Sequence, residues 1–150
     1  MKKLSILVLA LASLALLSPL QAAGPDDYLG TWTTQSGKSR VLLFKCQGDK
    51  LCGKIVWLSE PNYPAGDAEA GQPKHDRNNP DASKRDRPIQ GMFLVWGFTW
   101  DGEKWEDGHI YNPEDGKTYS CYMELEAPNR LKVRGYVGFS ALGKTVYWTR

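Results

Sequence analysis

The chain has 150 residues and carries 19 Lys and Arg against 17 Asp and Glu, a formal net charge of +2. Lys2 and Lys3 are the only charges before Asp26, and without them the remaining basic and acidic residues balance. A neutral chain with interspersed signs excludes the basic stripe with which nucleic acid is met. Its length suits one domain with a real core and is too short for two.

Met1-Lys2-Lys3, an uncharged Leu- and Ala-rich run over 4–20, and Gln21-Ala22-Ala23 form the three parts of a secretory signal peptide. A membrane anchor is the competing reading, but Ser13, Ser18 and Pro19 interrupt the run and no basic stop-transfer cluster follows. Cleavage is expected after Ala22 or Ala23. The expectation is therefore a leader over 1–22 and one domain over 23–150, periplasmic or secreted from a Gram-negative type of cell, with no integral membrane segment left. No cysteine at the junction offers itself for lipid modification.

The remaining chain reads as short alternating segments broken by turn signals, with no sustained helical period. Eight strands are predicted, over 28–34, 40–46, 52–58, 92–100, 104–111, 117–127, 131–137 and 144–150. Asp101-Gly102 is a strong hairpin pair between the fourth and fifth because both residues accept positive φ. In the sixth strand Tyr119, Cys121, Met123 and Leu125 share one side, opposed by Thr118, Ser120, Glu124 and Glu126, the pattern of an antiparallel sheet with one buried face. The fourth strand sets Met92, Leu94, Trp96, Phe98 and Trp100 on one face and Phe93 and Val95 on the other, so its outer face needs cover. That cover is expected from the long segment 59–88, where Asn79-Pro80-Asp81 has the cap, first-turn proline and early acid of a short helix running to about Arg85. Loops of this length are usually functional or disordered, which makes the segment the first place to look for a site.

An even-stranded antiparallel sheet closed on itself brings its first and last residues to one end. Gly30 and Trp32 would there meet Arg150, the indole offering a plate for the guanidinium and the glycine allowing close backbone approach. The fold class expected is all-β, an eight-stranded up-and-down barrel with a short helix between strands three and four.

Cys46 and Cys52 flank a tight turn. If Gln47 pairs with Leu51, the two cysteines face each other, and a cross-strand disulfide is favoured over free thiols in an oxidising compartment. Cys121 is left over on an apolar face and reads as a small buried hydrophobe rather than a reactive thiol. There is no serine elbow, phosphate-cradling glycine loop or zinc spacing, so no catalytic residue and no cofactor is expected. The two histidines, His75 and His109, with Asp76 and Asp107 nearby in sequence, could in principle gather around a metal; none is expected, because isolated surface histidines are commoner than ligands. Two polar clusters stand out: Asp76, Asn78, Asn79, Arg85 and Arg87 around the short helix, and the stretch from Tyr111 to Tyr119. Both read first as structural, the one tying the long segment to the barrel, the other a turn between two strand tyrosines.

The segments Asn79-Pro80-Asp81, Arg87-Pro88-Ile89-Gln90-Gly91, Ile110-Tyr111-Asn112-Pro113-Glu114-Asp115-Gly116-Lys117-Thr118-Tyr119, Leu131-Lys132-Val133-Arg134-Gly135-Tyr136 and Trp148-Thr149-Arg150 resemble the bacterial secreted family DUF2147. So do Gly30-Thr31-Trp32 and Cys52-Gly53-Lys54-Ile55. Where the family usually has aspartate this chain has Asn112, which argues against a carboxylate doing chemistry there. The resemblance implies a lipocalin-like, calycin-type barrel, the Gly30, Trp32 and Arg150 trio being similar to the lipocalin closure signature, and it implies no activity.

Two functions are compatible with such a barrel. One is a carrier of a small apolar or lipid-like ligand, with Trp96 beside the cavity and Arg87, Tyr111 and Arg134 at its mouth to orient a polar head. The other is a filled barrel serving as a protein-binding envelope module, an inhibitor or chaperone, with its useful surface on the long segment; the protein partner is not specified by the sequence.

Overall fold

The computed structural model describes residues 22–150, so the expected leader lies, apart from Ala22, outside the described residues. Eight strands follow in order: β1 (Gly30–Thr33), β2 (Ser39–Cys46), β3 (Lys50–Leu58), β4 (Phe93–Trp100), β5 (Trp105–Asn112), β6 (Lys117–Ala127), β7 (Arg130–Tyr136) and β8 (Lys144–Thr149). Each pairs antiparallel with its neighbour, and the sheet closes into an up-and-down barrel.

The closing seam is short, with Thr33 opposite Thr149 as its registered pair. Side chains carry the rest of it. Arg150 stands 4.2 Å over the Trp32 ring and donates from Nε to Pro128 O and from its two terminal nitrogens to Leu29 O and Asp27 O. A planar fork suits three carbonyls converging from different segments, which an ammonium could not span. Gly30 lies beneath it, its absent Cβ position 3.8 Å from the guanidinium. Beyond the seam, Tyr147 N donates to Gln35 Oε1 and links β8 to the β1–β2 turn.

Below the seam the barrel is plugged. A 3-10 turn over Pro25–Tyr28 lies across that end, with Trp32 Nε1 donating to Tyr28 O at 2.8 Å and Leu125 N to the Tyr28 hydroxyl at 3.0 Å. Trp100 packs edge-on against both Tyr28 and Trp105. Glycines there make room for large neighbours: a Cβ on Gly108 would sit 2.0 Å from the Phe98 ring, and one on Gly53 would sit 2.8 Å from Leu43.

Three local expectations are corrected. The β2–β3 ladder pairs Cys46 with Lys50 and Phe44 with Cys52, so Gln47 does not pair with Leu51; the turn is a 3-10 turn over Gln47–Asp49. The cysteines are thus diagonal neighbours, with Cα atoms 5.8 Å apart, and are joined by the Cys46–Cys52 disulfide. The helix expected from an Asn79 cap is one 3-10 turn, Ala82–Lys84, capped by Asp81 through Ser83 N. Asn79 Oδ1 does accept from Asp81 N as a cap would, but Asp81 is extended, so no helical turn follows there and the turn starts only at Ala82.

The third correction concerns Trp96, expected on the inward face of β4. Gly97 has φ of +81°, a left-handed conformation that glycine adopts freely. The alternation is broken at that point, so Val95 is fully buried while Trp96 lies on the outer surface, stacked on His109 with ring centroids 5.6 Å apart. Phe93 is also exposed, at 58%. The long segment covers Tyr111 of β5 instead.

Candidate ligand-binding site

Above the plugged half, the barrel is hollow. A cavity of about 990 Å³ opens at the end where the β1–β2, β5–β6 and β7–β8 turns and the long segment meet. Its inner wall is built from medium-sized apolar side chains, Ile55, Leu94, Ile110, Val133 and Val146, with Trp148 at its base. The contrast with the lower half comes from side-chain volume at successive inward positions: on β8 from Trp148 to Val146, on β7 from Leu131 through Val133 to Gly135. Smaller residues toward one end leave space there that the neighbours are too short to fill.

The rim is polar. Tyr119, at the upper end of β6, donates its hydroxyl to Asp115 Oδ2 at 2.6 Å, and this bond raises the phenol above its ordinary range. On the long segment, Arg77 grips Asp67 with two parallel bonds of 2.9 Å, touches Glu69 at 3.3 Å and lies 4.1 Å over the Tyr63 ring. The Arg77 bond holds the Asp67 carboxyl down at about 2. Tyr63 in turn donates to His75 O and accepts from His75 N, closing this part of the segment on itself.

His75 has Nδ1 2.6 Å from Arg85 O and Nε2 2.9 Å from Glu69 Oε1. Both partners are acceptors, so both ring nitrogens must donate and the imidazolium is the form that satisfies the site. Its pKa is raised, first by the Arg85 carbonyl and then by Glu69.

The segment is fastened to the barrel at two points. Asn78 Nδ2 donates to Pro113 O and Glu114 O, while Asn78 O lies 2.0 Å from where a Cβ on Gly116 would be; Gly116 also has φ of +69°. Only glycine meets both demands. The second point is Asp76, fully buried, whose carboxylate accepts from Tyr111 Oη at 2.6 Å, Asn79 Nδ2 at 2.7 Å and Arg87 at 2.7 Å. Burial, and then the bond to Asp76, pushes the Tyr111 phenol up to about 12. The two polar clusters singled out in the sequence are one network. Among the described residues, no three His, Cys, Asp or Glu side chains gather to hold a metal ion.

The family model for DUF2147, described as an uncharacterized protein conserved in bacteria, matches residues 30–150. This chain belongs to the DUF2147 family. Its fold is lipocalin-like: a solved structure described as protein HP1028 from the human pathogen Helicobacter pylori, belonging to the lipocalin family, superposes with a TM-score of 0.66. That chain is 25% identical, and the match covers 81% of each. No curated protein matches the sequence.

In this DUF2147 barrel the residues expected at the ligand are dispersed. Tyr111 borders the cavity and also a smaller outer depression of about 320 Å³, to which Arg87 and Trp96 belong. Arg87 is engaged by Asp76. Arg134 is spent on the β7–β8 turn, donating to Ser140 O, Ala141 O and Thr145 Oγ1. Cys121 is fully buried, and desolvation pushes its thiol up to about 12, leaving it protonated and shielded. Sequence reasoning missed Tyr119 and Ile110 as wall residues, although the period-2 pattern that set Tyr119 beside Cys121 and Met123 already carried the signal. It also missed Tyr63, His75 and Arg77, whose placement at the rim comes from how the long segment folds back.

Proposed function

We propose that this protein is a periplasmic or secreted binding protein, not an enzyme, that takes up one small apolar or lipid-like molecule after its leader is removed. The observation that carries this reading is the one-ended cavity of about 990 Å³, apolar within and polar at the rim. Ligand pockets run to roughly 300–1,000 Å³ with a few convergent polar groups, and this one sits at the upper limit. Membership of the lipocalin family by the solved neighbour fits the same use of an eight-stranded barrel. The polar groups at the rim are held by internal partners, which suits orientation of a head group better than proton transfer. An apolar tail would occupy the space over Trp148 and Val133, and the head would meet Tyr119 and Tyr111.

Native mass spectrometry of protein purified from the periplasm, followed by extraction of any bound molecule, tests the proposal. A released lipid or metabolite supports it, as does a change in Trp148 fluorescence on titration with fatty acids, quinones or isoprenoids. An empty protein whose fluorescence ignores the whole panel overturns it, and pull-down with variants of the long segment then tests the protein-binding alternative.

A further inference from the structure

The β7–β8 loop holds three large apolar side chains out in water at the mouth of the cavity. Val137, Phe139 and Leu142 are 72%, 78% and 81% exposed. They are not the ragged end of a loose loop. Phe139 to Gly143 forms a 3-10 turn closed by Leu142 N to Phe139 O and Gly143 N to Ser140 O, and Arg134 braces it from below through two of its carbonyls. Gly143 packs so closely that a Cβ there would lie 2.5 Å from Gly135 O. The turn is therefore a braced knuckle that carries three exposed large apolar side chains within six residues, a concentration that marks an interaction site.

Charge around the knuckle selects the partner. From Tyr28 to Gly48 and from Ala127 to Arg150 the chain contains no Asp or Glu. Closure of the barrel sets these two acid-free hairpins side by side, because β8 meets β1. At the mouth they present Lys38 and Lys144, both exposed and in no ion pair among the described residues, and Arg40, stacked 4.7 Å over the half-exposed Trp57. The carboxylates that line the mouth stand on other segments: Glu60 and Asp67, on the long segment, are paired with Lys74 and Arg77, and Glu114 and Asp115 lie on the β5–β6 turn, opposite the β1–β2 turn. The lip formed by the β7–β8 and β1–β2 hairpins is thus apolar and cationic, with no carboxylate of its own. Apolar side chains for the acyl boundary and lysines for anionic head groups are what a bilayer surface accepts.

We propose that the β7–β8 knuckle, with Lys38 and Lys144, is a docking tip for an anionic lipid bilayer, which sets the cavity mouth against the membrane. The inference rests on the carrier reading only for what then passes through the mouth; contact with the bilayer is a separate property. Val137 and Leu142 border the cavity itself, so a lipid leaving the bilayer would pass along them without crossing water.

Flotation of the purified protein with vesicles of phosphatidylethanolamine and phosphatidylglycerol, against vesicles of phosphatidylcholine alone, tests this at low ionic strength. The protein should float with the anionic vesicles and be released by salt. Phe139→Asp with Leu142→Asp should weaken partitioning by about tenfold or more, and Lys38→Glu with Lys144→Glu should abolish the preference for phosphatidylglycerol. Phe93→Ser with Trp96→Ser, which removes the exposed aromatics of β4, should change nothing. All the changes are on the surface, and the melting curve verifies folding; a tryptophan introduced as Phe139→Trp should shift to the blue when vesicles are added. Wild-type protein that stays with the unbound fraction overturns the proposal, as does equal binding to neutral vesicles or loss of binding in the β4 variant alone. So does a Phe139→Asp effect confined to self-association in size-exclusion chromatography, which would make the partner a second copy of the chain. Because flotation does not depend on an occupied cavity, a failure here and a failure of the carrier reading are seen separately.

Discussion

The two halves of this barrel are made from the same eight strands and behave as different materials. Below, Trp32, Phe98, Trp105 and Met123 fill the interior, Gly108 leaving room for the Phe98 ring and Gly53 for Leu43, and the Pro25–Tyr28 turn seals the end. Above, the inward positions carry Ile110, Val133, Gly135 and Val146, and about 990 Å³ stays open. Stability and capacity to bind are thus segregated along the barrel axis. The filled half can hold the fold while the hollow half leaves apolar surface without protein partners, which a ligand would satisfy.

Truncation in the lower half should break that division most visibly. Trp32→Ala removes a fully buried indole, its bond to Tyr28 O and the plate under Arg150, and should cost about 3–5 kcal/mol in urea denaturation followed by circular dichroism. Val146→Ala, in the upper half, should cost much less, since its neighbours already leave space; equal losses would mean that the halves are not distinct.

Asp76→Ala tests the join between the long segment and the barrel. It strips the acceptor from Tyr111, Asn79 and Arg87 at once, and should cost about 2–3 kcal/mol. Amide exchange should show residues 59–92 losing protection before the strands do. Uniform loss throughout the barrel would show that the segment is part of the same cooperative unit.

Filling the hollow half should separate binding from stability. Val146→Phe places a ring in open space and is expected to stay within about 1 kcal/mol of the parent while losing the ligand response of Trp148. A variant that unfolds instead would show that the cavity wall cannot accept the added volume.

The smallest effect concerns pH. His75 has its pKa raised in the folded protein, so its contribution to the long segment is complete below the ordinary histidine value and is lost as pH rises through the raised one. Glu69 is held below its ordinary value, first by its bond to His75, so its contribution is lost as pH falls through the carboxylate range. The segment should be best ordered between those limits. Amide exchange of residues 59–78 should quicken above neutrality, and His75→Ala should flatten that dependence; a dependence unchanged by the substitution would assign it to another group.

Strands were legible because their signal is local. The alternation from Tyr119 to Leu125, the Asp101-Gly102 pair and the glycine-rich turns lie within windows of a few residues, and the observed strands begin and end within one or two residues of where those patterns set them. Trp96 was not legible, because its side depends on one positive φ at Gly97, and a period-2 reading assumes that no such break occurs. Arg87 and Arg134 illustrate a second kind of limit. A sequence shows that an arginine is present, not whether Asp76 or the carbonyls of Ser140 and Ala141 have already engaged it.

What the residues determine by themselves is the scaffold: one-sided strands, an even number of them, short turns, a cysteine pair across a hairpin, and an arginine after the last strand to meet an indole in the first. Each of these follows from chemistry between near neighbours or from the topology that closure imposes. Only the tertiary structure decided that the barrel is hollow above and full below, that two polar clusters are one network around Asp76, and that two acid-free hairpins share a lip with an exposed apolar knuckle. Those properties are differences in volume and charge summed over strands far apart in the chain, and the sum exists only once the sheet has closed and its register is set.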